Sequence, residues 1–560
     1  MSKPKNNFKK IALTVLFVIV LNFAGHFVFH RFDLTADKRY TLSETSLAIV
    51  SEVKEPLYID VFLEGEFPGE FKKLQTETQQ LLEEFKAQNS NVIFQFVNPL
   101  EEEEQRDATI QSFLERGLTP VNVTVNDKGQ QTQEVVFPWA VATCGNRSVK
   151  VPLLKNMMGA STAEKVVSSV QHLEYAFANA INTVAKEKQK KVIILNGNGE
   201  LEDRYIADFI KSVRENYFIA PFTLDSVPTN PNGTLEHIKK YDLAVIAKPT
   251  EAFSDAEKQV IDQFIINGGK TLWLVDQVAM EMDSLYNETG SNLAFSRDLG
   301  LNDMFFKYGI RMRPDLIFDL QNTPIALATG EQGSATQYTQ YPWFYAPLIY
   351  PTSQNPIVTN LDGIKFDFAG PIEILGNDIK KTVLLQSSPV SKLVGTPAQV
   401  GLEVVSLRPE QKEFAGKGNY PVAVLLEGQF HSMYENRILP FKDTDFKNVG
   451  KTNKMIVVSD GDVIKNQFDK NGLPLELGYD KWTNNLYANK EFMMNCVNYL
   501  MDDNGLINIR SKEVNLPMLD KQKVYDNYTN SQVVTVAVPI VILLVFGLVF
   551  TLLRKRKYSK

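Results

Sequence analysis

Residues 191–200 read KVIILNGNGE, and this stretch decides the fold of the larger part of the chain. An apolar run leads into a glycine-containing turn, and two runs of the same kind follow, YDLAVIAKP at 241–249 and TLWLVDQ at 271–277. Strands that are apolar on both sides are typical of a parallel sheet covered by helices on both faces. Helical patterns separate these runs, so the sequence predicts an α/β domain over 190–510.

The remainder of this domain is less regular. Residues 310–450 are richer in Pro, Gln and Thr, with short strand patterns at 381–388 and 421–428, and we interpret them in part as a large insertion. The α/β pattern returns at KMIVVSDGDVI (454–464) and in a helix over 490–502. We expect this strand and helix to complete the sheet that begins at 191.

The region before residue 190 has a different order of elements. Thr41 and Glu44 match a T-x-x-E capping box, which predicts a short helix through about Val53. A β-α-β-α-β-β order follows, which resembles a thioredoxin-like fold over 31–155 without its dithiol. A helical linker over 156–189 joins it to the second domain. The predicted strands are 57–65, 91–99, 117–125 and 133–142.

Two apolar segments predict membrane spans. Residues 11–29 contain no acid, Lys or Arg, residues 533–553 contain no charge, and each is long enough to cross a hydrocarbon core of roughly 30 Å. Lysines precede the first segment within 1–10 and basic residues fill 554–560, so the positive-inside rule places both termini in the cytoplasm. A cleaved signal peptide is the alternative for the first segment, but its small-residue cleavage pattern is missing.

The predicted outer region, 31–532, is acidic and ends in a polar arm at 511–532. Nine of the 59 basic residues and none of the 66 acids lie in the two tails, which leaves 50 basic against 66 acidic residues, a net charge of −16. Such a balance argues against nucleic acid as a partner. Cys144 and Cys496 form no C-x-x-C motif, and we expect two separate buried thiols.

One polar stripe lies inside the first segment. Asn22, His26 and His30 are spaced four residues apart and share one helical face, beside Gly25. We interpret the stripe as a docking surface for an integral membrane partner, because polar groups in hydrocarbon need partners. The alternative is that His26 and His30 reach the water at the headgroups.

Motifs for nucleotide or cofactor binding are incomplete. Gly268-Gly269-Lys270-Thr271 resembles the end of a P-loop, but Phe264 stands where the motif needs Gly and the segment runs from helix to strand, so we interpret it as a helix C-cap. Gly197-Asn198-Gly199 has Glu202 where a dinucleotide loop has its third Gly, which indicates a tight turn. We expect no cofactor, and five histidines offer little material for a metal site.

Carboxylate side chains at strand ends are the remaining candidates for a functional site. Asn198, Glu200, Asp276 and Asp460, with Asp462 nearby, follow predicted strands, where open α/β sheets gather their ligand groups. They are a candidate ligand cleft. The alternative is that they are turn-forming residues at strand ends.

Residues 31–46, RFDLTADKRYTLSETS, resemble the signature that follows the first span in the GldG family of gliding-motility auxiliary components of ABC transport systems. Residues 191–200 and 241–278 are similar to the α/β, glutamine-amidotransferase-like (flavodoxin-like) domain of such proteins. The residues that match the signature are Arg31, Asp33, Leu34, Thr35, Tyr40, Thr41, Leu42 and Ser43.

The resemblance implies partners rather than catalysis. They would be a permease-like membrane subunit of the GldF type and a cytoplasmic ATPase of the GldA type, and the chain would be a non-enzymatic subunit in the inner membrane with a periplasmic domain. It would support gliding motility and the associated protein secretion machinery. A receptor for a small molecule or envelope component, and a periplasmic hydrolase, are the alternatives from other classes.

Overall fold

The computed structural model describes residues 11, 13–18, 33, 41–65, 67–127, 130–332, 335–512 and 521–558. The chain divides into two compact units, Met1–Lys512 and Glu513–Lys560, and each is described by itself. Within the first unit we distinguish an N-terminal lobe (residues 41–186) from a C-terminal lobe (residues 189–512).

The N-terminal lobe is built on a four-stranded mixed sheet in the order β2-β1-β5-β6. Strand β1 runs parallel to β2 and antiparallel to β5, and β5 is antiparallel to β6. Strands β3 and β4 form a separate hairpin. The elements are α1 (Glu44–Ser51), β1 (Leu57–Val61), α2 (Gly69–Gln88), β2 (Val92–Phe96), α3 (Arg106–Glu115), β3 (Val121–Asp127), β4 (Gln130–Val136), β5 (Trp139–Cys144), β6 (Arg147–Pro152) and α4 (Thr162–Ala185).

Two predictions for this lobe are wrong in detail. The strand predicted at 133–142 is two strands, because Pro138 has no N–H to donate to a ladder and separates β4 from β5. The capping box of Thr41 and Glu44 does not form. The Ser43 hydroxyl caps α1 by accepting from the Ser46 N–H, while the Thr41 hydroxyl donates to Asp33 Oδ2 at 3.0 Å.

Helix α4 belongs to the core of the first unit. Ser161 and Glu164 form a capping box at its start, and about half of its 24 residues are buried, among them Phe177. It packs against α1, α2, β5 and β6, and also against the 3-10 helix Leu506–Ser511 near the end of the C-terminal lobe. Both lobes therefore contact this one helix.

The C-terminal lobe contains a seven-stranded sheet in the order β19-β22-β23-β10-β9-β7-β8. Strands β8, β7, β9, β10 and β23 are mutually parallel, and β22 and β19 are antiparallel additions. The elements that build this sheet and its cover are β7 (Lys191–Asn196), α5 (Ala207–Asn216), β8 (Phe218–Thr223), α6 (Pro231–Ile238), β9 (Leu243–Ala247), α7 (Asp255–Ile266), β10 (Lys270–Leu274), α8 (Asn302–Tyr308), β19 (Lys380–Gln386), β22 (Pro421–His431), β23 (Val449–Val458) and α9 (Asn489–Met501).

Both faces of this sheet are buried, as the solid apolar runs predict. Val192 and Ile194 of β7 pack into one core with α5 and α9, while Ile193 and Leu195 pack into a second core with α6, α7 and α8. The predicted return of the sheet at 454–464 is confirmed, since β23 pairs with β10. Ser254 and Glu257 cap α7, and Gly268 beyond its end adopts a φ of 103°, as expected for a helix C-cap.

The middle of this lobe is rich in β-structure. Its third core, which includes Phe318, Trp343 and Phe344, lies among strands outside the main sheet, and Trp343 and Phe344 belong to a strand of 15 residues. The two strand patterns noted at 381–388 and 421–428 are instead β19 and β22 of the main sheet. The other strands are β11 (Val278–Ala279), β12 (Ser291–Ser296), β13 (Ile310–Met312), β14 (Asp315–Asp319), β15 (Asn322–Gln332), β16 (Ala335–Ile349), β17 (Ile364–Lys365), β18 (Ile372–Ile374), β20 (Ser391–Gly395), β21 (Ala398–Gly401), β24 (Tyr479–Asp480) and β25 (Asn485–Leu486).

The second unit consists of α10 (Lys521–Asp526) and α11 (Tyr528–Tyr558) over its described residues. Residues Tyr528–Lys557 are long and apolar enough to cross a membrane by length and composition. Most of the predicted first span lies outside the described residues, of which 11 and 13–18 are helical.

Candidate functional site

The candidate site forms where three parallel strands of the main sheet end. Lys248 follows β9, Asp276 follows β10, and Asp460 and Asp462 follow β23. Since β9, β10 and β23 are adjacent and parallel, their carboxyl ends bring these side chains together. We call Lys248, Asp276, Glu281, Asp460 and Asp462 the Lys248 cluster.

Lys248 is the centre of this cluster. Its ammonium nitrogen lies 2.6 Å from Asp462 Oδ2, 2.7 Å from Glu281 Oε2 and 3.3 Å from Asp276 Oδ2, and only 3% of the side chain is exposed. Its backbone has a φ of 57°, a left-handed conformation that non-glycine residues rarely adopt. Gly461 makes room for it, because a Cβ at position 461 would lie 2.4 Å from Lys248 Cβ.

The carboxylates are also bound by backbone N–H groups. Asp460 accepts hydrogen bonds from the Asp367 and Asp462 N–H groups, both at 2.6 Å, and Asp276 accepts from the Gly461 N–H at 2.5 Å. These bonds join the loops after β10 and β23 to residue 367 of the β-rich region. The cluster therefore holds the end of the sheet together.

Burial and the neighbouring opposite charges shift the pKa values of Lys248 and its carboxylate partners in opposite directions. Burial opposes the charge of Lys248, but the three carboxylates outweigh it and raise the lysine pKa well above its ordinary value. Burial raises the pKa of Asp276 to about 6 and that of Asp460 well above its usual range. Burial acts in the same direction on Asp462, but Lys248 outweighs it and lowers the pKa of that carboxyl. A lysine with so high a pKa stays charged and does not act as a base near neutral pH.

Asn198 and Glu200 form a separate group at the turn after β7. The Asn198 N–H donates to Glu200 Oε2 at 2.7 Å, and the Asn198 carbonyl accepts from the N–H groups of Thr250 and Glu251, both at 2.9 Å. Asn198 Oδ1 and Glu200 Oε1 are buried and have no hydrogen-bond partner among the described residues. Burial raises the pKa of Glu200 to about 7.

The structure thus places the four predicted cleft residues in two groups. Asp276 and Asp460 belong to the Lys248 cluster, whereas the hydrogen bonds of Asn198 lead to residues 250, 251 and 257. Lys248 itself was missed by sequence reasoning. The available signal was a lysine that directly ends the all-apolar strand in YDLAVIAKP.

A third group of polar residues lies where the N-terminal lobe begins, at Thr41, and where the C-terminal lobe ends, at Lys512. Glu174 of α4 is 6% exposed, and its Oε1 accepts from the Ser43 N–H at 2.7 Å and the Ser46 hydroxyl at 2.8 Å. Lys512 Nζ donates to Glu174 Oε2 at 2.6 Å and to the Thr41 carbonyl at 2.8 Å. We call these five residues the Glu174 junction.

The charge pair at this junction is partly desolvated. Burial alone would raise the pKa of Glu174, but Lys512 and the hydrogen bonds from Ser43 and Ser46 outweigh it and lower the pKa. Arg510, two residues before Lys512, is 2% exposed and donates to Glu491 at 3.0 Å and to the Thr359 carbonyl at 3.1 Å. The end of the first unit is therefore fixed to both α4 and the C-terminal lobe.

Only part of the predicted signature lies within the described residues. Asp33 and Thr41 bond to each other, Leu42 is buried, and Ser43 caps α1. The remaining signature residues and the polar stripe of the first span lie outside the described residues. They are Asn22, His26, His30, Arg31, Leu34, Thr35 and Tyr40.

Both cysteines are buried free thiols, as expected. Burial raises the pKa of both, that of Cys496 well above its ordinary value. Among the described residues, no group of three His, Cys, Asp or Glu side chains has a geometry that could hold a metal ion.

Comparisons with known proteins identify a family for the C-terminal lobe. No curated protein sequence matches the chain. The solved structure titled "mmIFT52 N-terminal domain" is similar over 56% of this chain and 97% of its own, with 14% identity and a TM-score of 0.32. A domain of unknown function matches residues 36–143. A family described as an ABC-type uncharacterized transport system matches residues 189–496, more than half of the 560 residues, and this range contains the main sheet and the Lys248 cluster. The chain belongs to this family and is an auxiliary component of an ABC-type transport system.

Proposed function

We propose that the chain is a non-enzymatic subunit of an ABC-type complex that supports gliding motility and the associated protein secretion machinery. In this proposal two spans, 11–29 and 533–553, anchor it in the inner membrane, both termini are cytoplasmic, and the region between the spans, 31–532, is periplasmic. Its partners are a permease-like subunit of the GldF type and a cytoplasmic ATPase of the GldA type. The family suggests a non-catalytic role.

The Glu174 junction is the observation that carries this proposal. Thr41 and Ser43 follow the first apolar segment, Lys512 precedes the second, and all three bond to one another or to Glu174. In this proposal the Glu174 junction connects the folded domain to the chain segments that lead to both spans, so a movement of a neighbouring permease would reach the domain through α4. The same helix packs on both lobes, so movement at the membrane would reach both of them.

Co-purification from native membranes tests the proposal. We expect the full chain to recover a multi-span permease-like subunit and an ATPase. Replacement of Asn22, His26 and His30 by Leu should reduce recovery of the permease, because the stripe would lose its polar partners in hydrocarbon. A chain that is recovered without any transporter subunit contradicts the proposal, whereas unchanged recovery by the Leu variant contradicts only the docking stripe.

Each lobe has a proposed fold type. The N-terminal lobe would be thioredoxin-like, which the order β2-β1-β5-β6 with an antiparallel β5 supports. The C-terminal lobe would be amidotransferase-like, with its fold used without its chemistry, since such chemistry needs a nucleophilic Cys after a strand. Cys496 supports this, because it lies within α9 and is fully buried.

A small-molecule receptor is the second candidate function. The buried, unpartnered oxygens of Asn198 and Glu200 favour it, since a ligand with N–H or O–H groups would satisfy them. Asp276 and Asp460, the other two residues of the sequence-based cleft, lie in the Lys248 cluster instead. Thermal-shift measurements on the full chain with sugars, peptides and metal ions should then find a compound that raises the unfolding temperature. The same compound should not raise the unfolding temperature of the Glu200→Ala variant. A screen without any stabiliser contradicts the receptor.

A further inference from the structure

A cavity of about 560 Å³ lies between the two lobes, and its lining includes no residue of the Lys248 cluster, of the Asn198 turn or of the Glu174 junction. One wall is formed by α4 and residues 186–190, and the opposite wall by the end of α5, the end of α9 and residues 502–507. Small-molecule sites typically have volumes of roughly 300–1,000 Å³ and often lie at domain interfaces. The cavity thus has the size and the position of a ligand site.

The lining is rich in side-chain amides, which both donate and accept hydrogen bonds. The Tyr217 hydroxyl donates to Asn498 Oδ1 at 3.1 Å, and Asn498 Nδ2 donates to the Tyr175 hydroxyl at 3.3 Å. These two hydrogen bonds join the C-terminal lobe to α4 beside the cavity. The amides that line the cavity are those of Asn179, Asn182, Gln189, Asn216, Asn498 and Asn504.

One of these amides has an unmet acceptor. Asn182 Oδ1 is buried and accepts no hydrogen bond from any of the described residues. An unsatisfied buried acceptor costs about 1–3 kcal/mol, so its presence beside a cavity indicates a donor that arrives with a ligand. Asn179 lies one turn earlier on α4 and lines the same cavity.

Charges of both signs border the amides. The basic residues of the lining are Arg147, Lys186, Lys188 and Lys190, and the acidic ones are Glu187, Asp502 and Asp503. Part of this charge is used internally, since Lys190 pairs with Asp503 at 2.5 Å and Lys186 pairs with Glu52 at 2.6 Å. The cavity therefore suits a molecule that carries both charges and amides, rather than a strongly anionic or cationic one.

We propose that this cavity binds a short peptide with free ends. Carboxamide side chains pair with peptide N–H and C=O groups, and lining charges of both signs match the ammonium and the carboxylate of such a peptide.

The site would act through α4. Tyr175, Asn179 and Asn182 line the cavity, and Glu174 on the same helix binds the residues that flank both predicted spans. Occupation of the cavity would thus be transmitted to the Glu174 junction along one rigid element. Binding itself does not depend on the proposed motility role, so the two can fail separately.

Titration of the full chain in detergent micelles with trialanine tests the inference. We expect one peptide per chain, and Asn182→Ala should weaken binding about threefold to tenfold, as for the loss of one hydrogen bond. The variant should unfold at the same temperature or higher, because Oδ1 has no partner to lose and Ala is the better helix former. Asn122→Ala, at an exposed position of β3, is the control and should bind as the wild type does.

Three outcomes overturn the inference. The first is the absence of binding at millimolar trialanine, and the second is equal affinity of Asn182→Ala and the wild type for trialanine. The third is binding of maltose in place of trialanine with the same sensitivity to Asn182→Ala, which would assign the cavity to a polyol.

Discussion

At the scale of single residues, the side chain of Lys248 occupies a position at the strand ends where a ligand would be expected, and it pairs with the carboxylates there. The positions after β9, β10 and β23 are those where α/β sheets gather ligand groups, and the sequence places carboxylates there. A buried lysine binds them, and Gly461 leaves space for its backbone. For Asp462 and Asp276, a role in holding the strand ends together is therefore favoured over a role in binding a ligand.

Replacement of Lys248 by Met should destabilise the first unit by about 3–5 kcal/mol, because it leaves buried carboxylates without their cation. Urea unfolding of the full chain in micelles, followed by tryptophan fluorescence, measures this change. Lys240→Met is the matched control at an exposed lysine and should stay within about 0.5 kcal/mol of the wild type. A similar effect of both substitutions would show that the cluster contributes no stability.

Glu174 predicts a dependence on pH. Its pKa is lowered in the folded state, so the stability that it contributes is present above the ordinary glutamate pKa and is lost as pH falls through the folded value. Glu174→Gln should cost about 1.5–3 kcal/mol at pH 7, as expected for a hydrogen bond to a charged group. The difference between wild type and variant should shrink below about pH 4.5. Urea unfolding across this pH range measures it, and a constant difference would contradict the assignment.

At the scale of elements, periodicity predicted most of the parallel part of the main sheet but not its two antiparallel strands. The solid apolar runs identified β7, β9, β10 and β23, because a strand buried on both faces has few other interpretations. The same pattern could not show that β19 and β22 join this sheet, since pairing between distant antiparallel strands leaves no local signal. In the candidate site, Asp276 and Asp460 could be predicted as neighbours, whereas Lys248 carried no motif.

Helix α4 is predicted to contribute to stability as part of the core of the first unit. Phe177 is fully buried in it, so Phe177→Ala should cost about 3–5 kcal/mol. A helix that merely linked two domains would tolerate the change. Phe306→Ala in α8 is the matched control, because that ring is 65% exposed and its loss should cost about 0.5 kcal/mol or less. Denaturant unfolding of both variants decides between core helix and linker.

At the scale of the whole molecule, the proposed topology separates two surfaces. Thr289 is exposed on the C-terminal lobe, and Ser559 lies in the basic tail after the second apolar segment. In Thr289→Cys the thiol should react with a membrane-impermeant maleimide on intact spheroplasts, whereas in Ser559→Cys it should react only after permeabilisation. Cys144 and Cys496 are buried, so the wild type is the control for background. Labelling of both variants on intact spheroplasts would contradict cytoplasmic termini.

The Glu174 junction has a mechanical consequence. A pull on the chain before Thr41 and a pull on the chain after Lys512 converge on the same carboxylate. Tension that pulls these two backbone segments apart would act on these bonds, and it would reach α4 through Glu174 and the C-terminal lobe through Arg510, which donates to Glu491 of α9. The segments around Thr41 and Lys512 are therefore mechanically coupled, and separating them requires breaking the hydrogen bonds and the ion pair of Glu174 together with the bond from Lys512 to the Thr41 carbonyl.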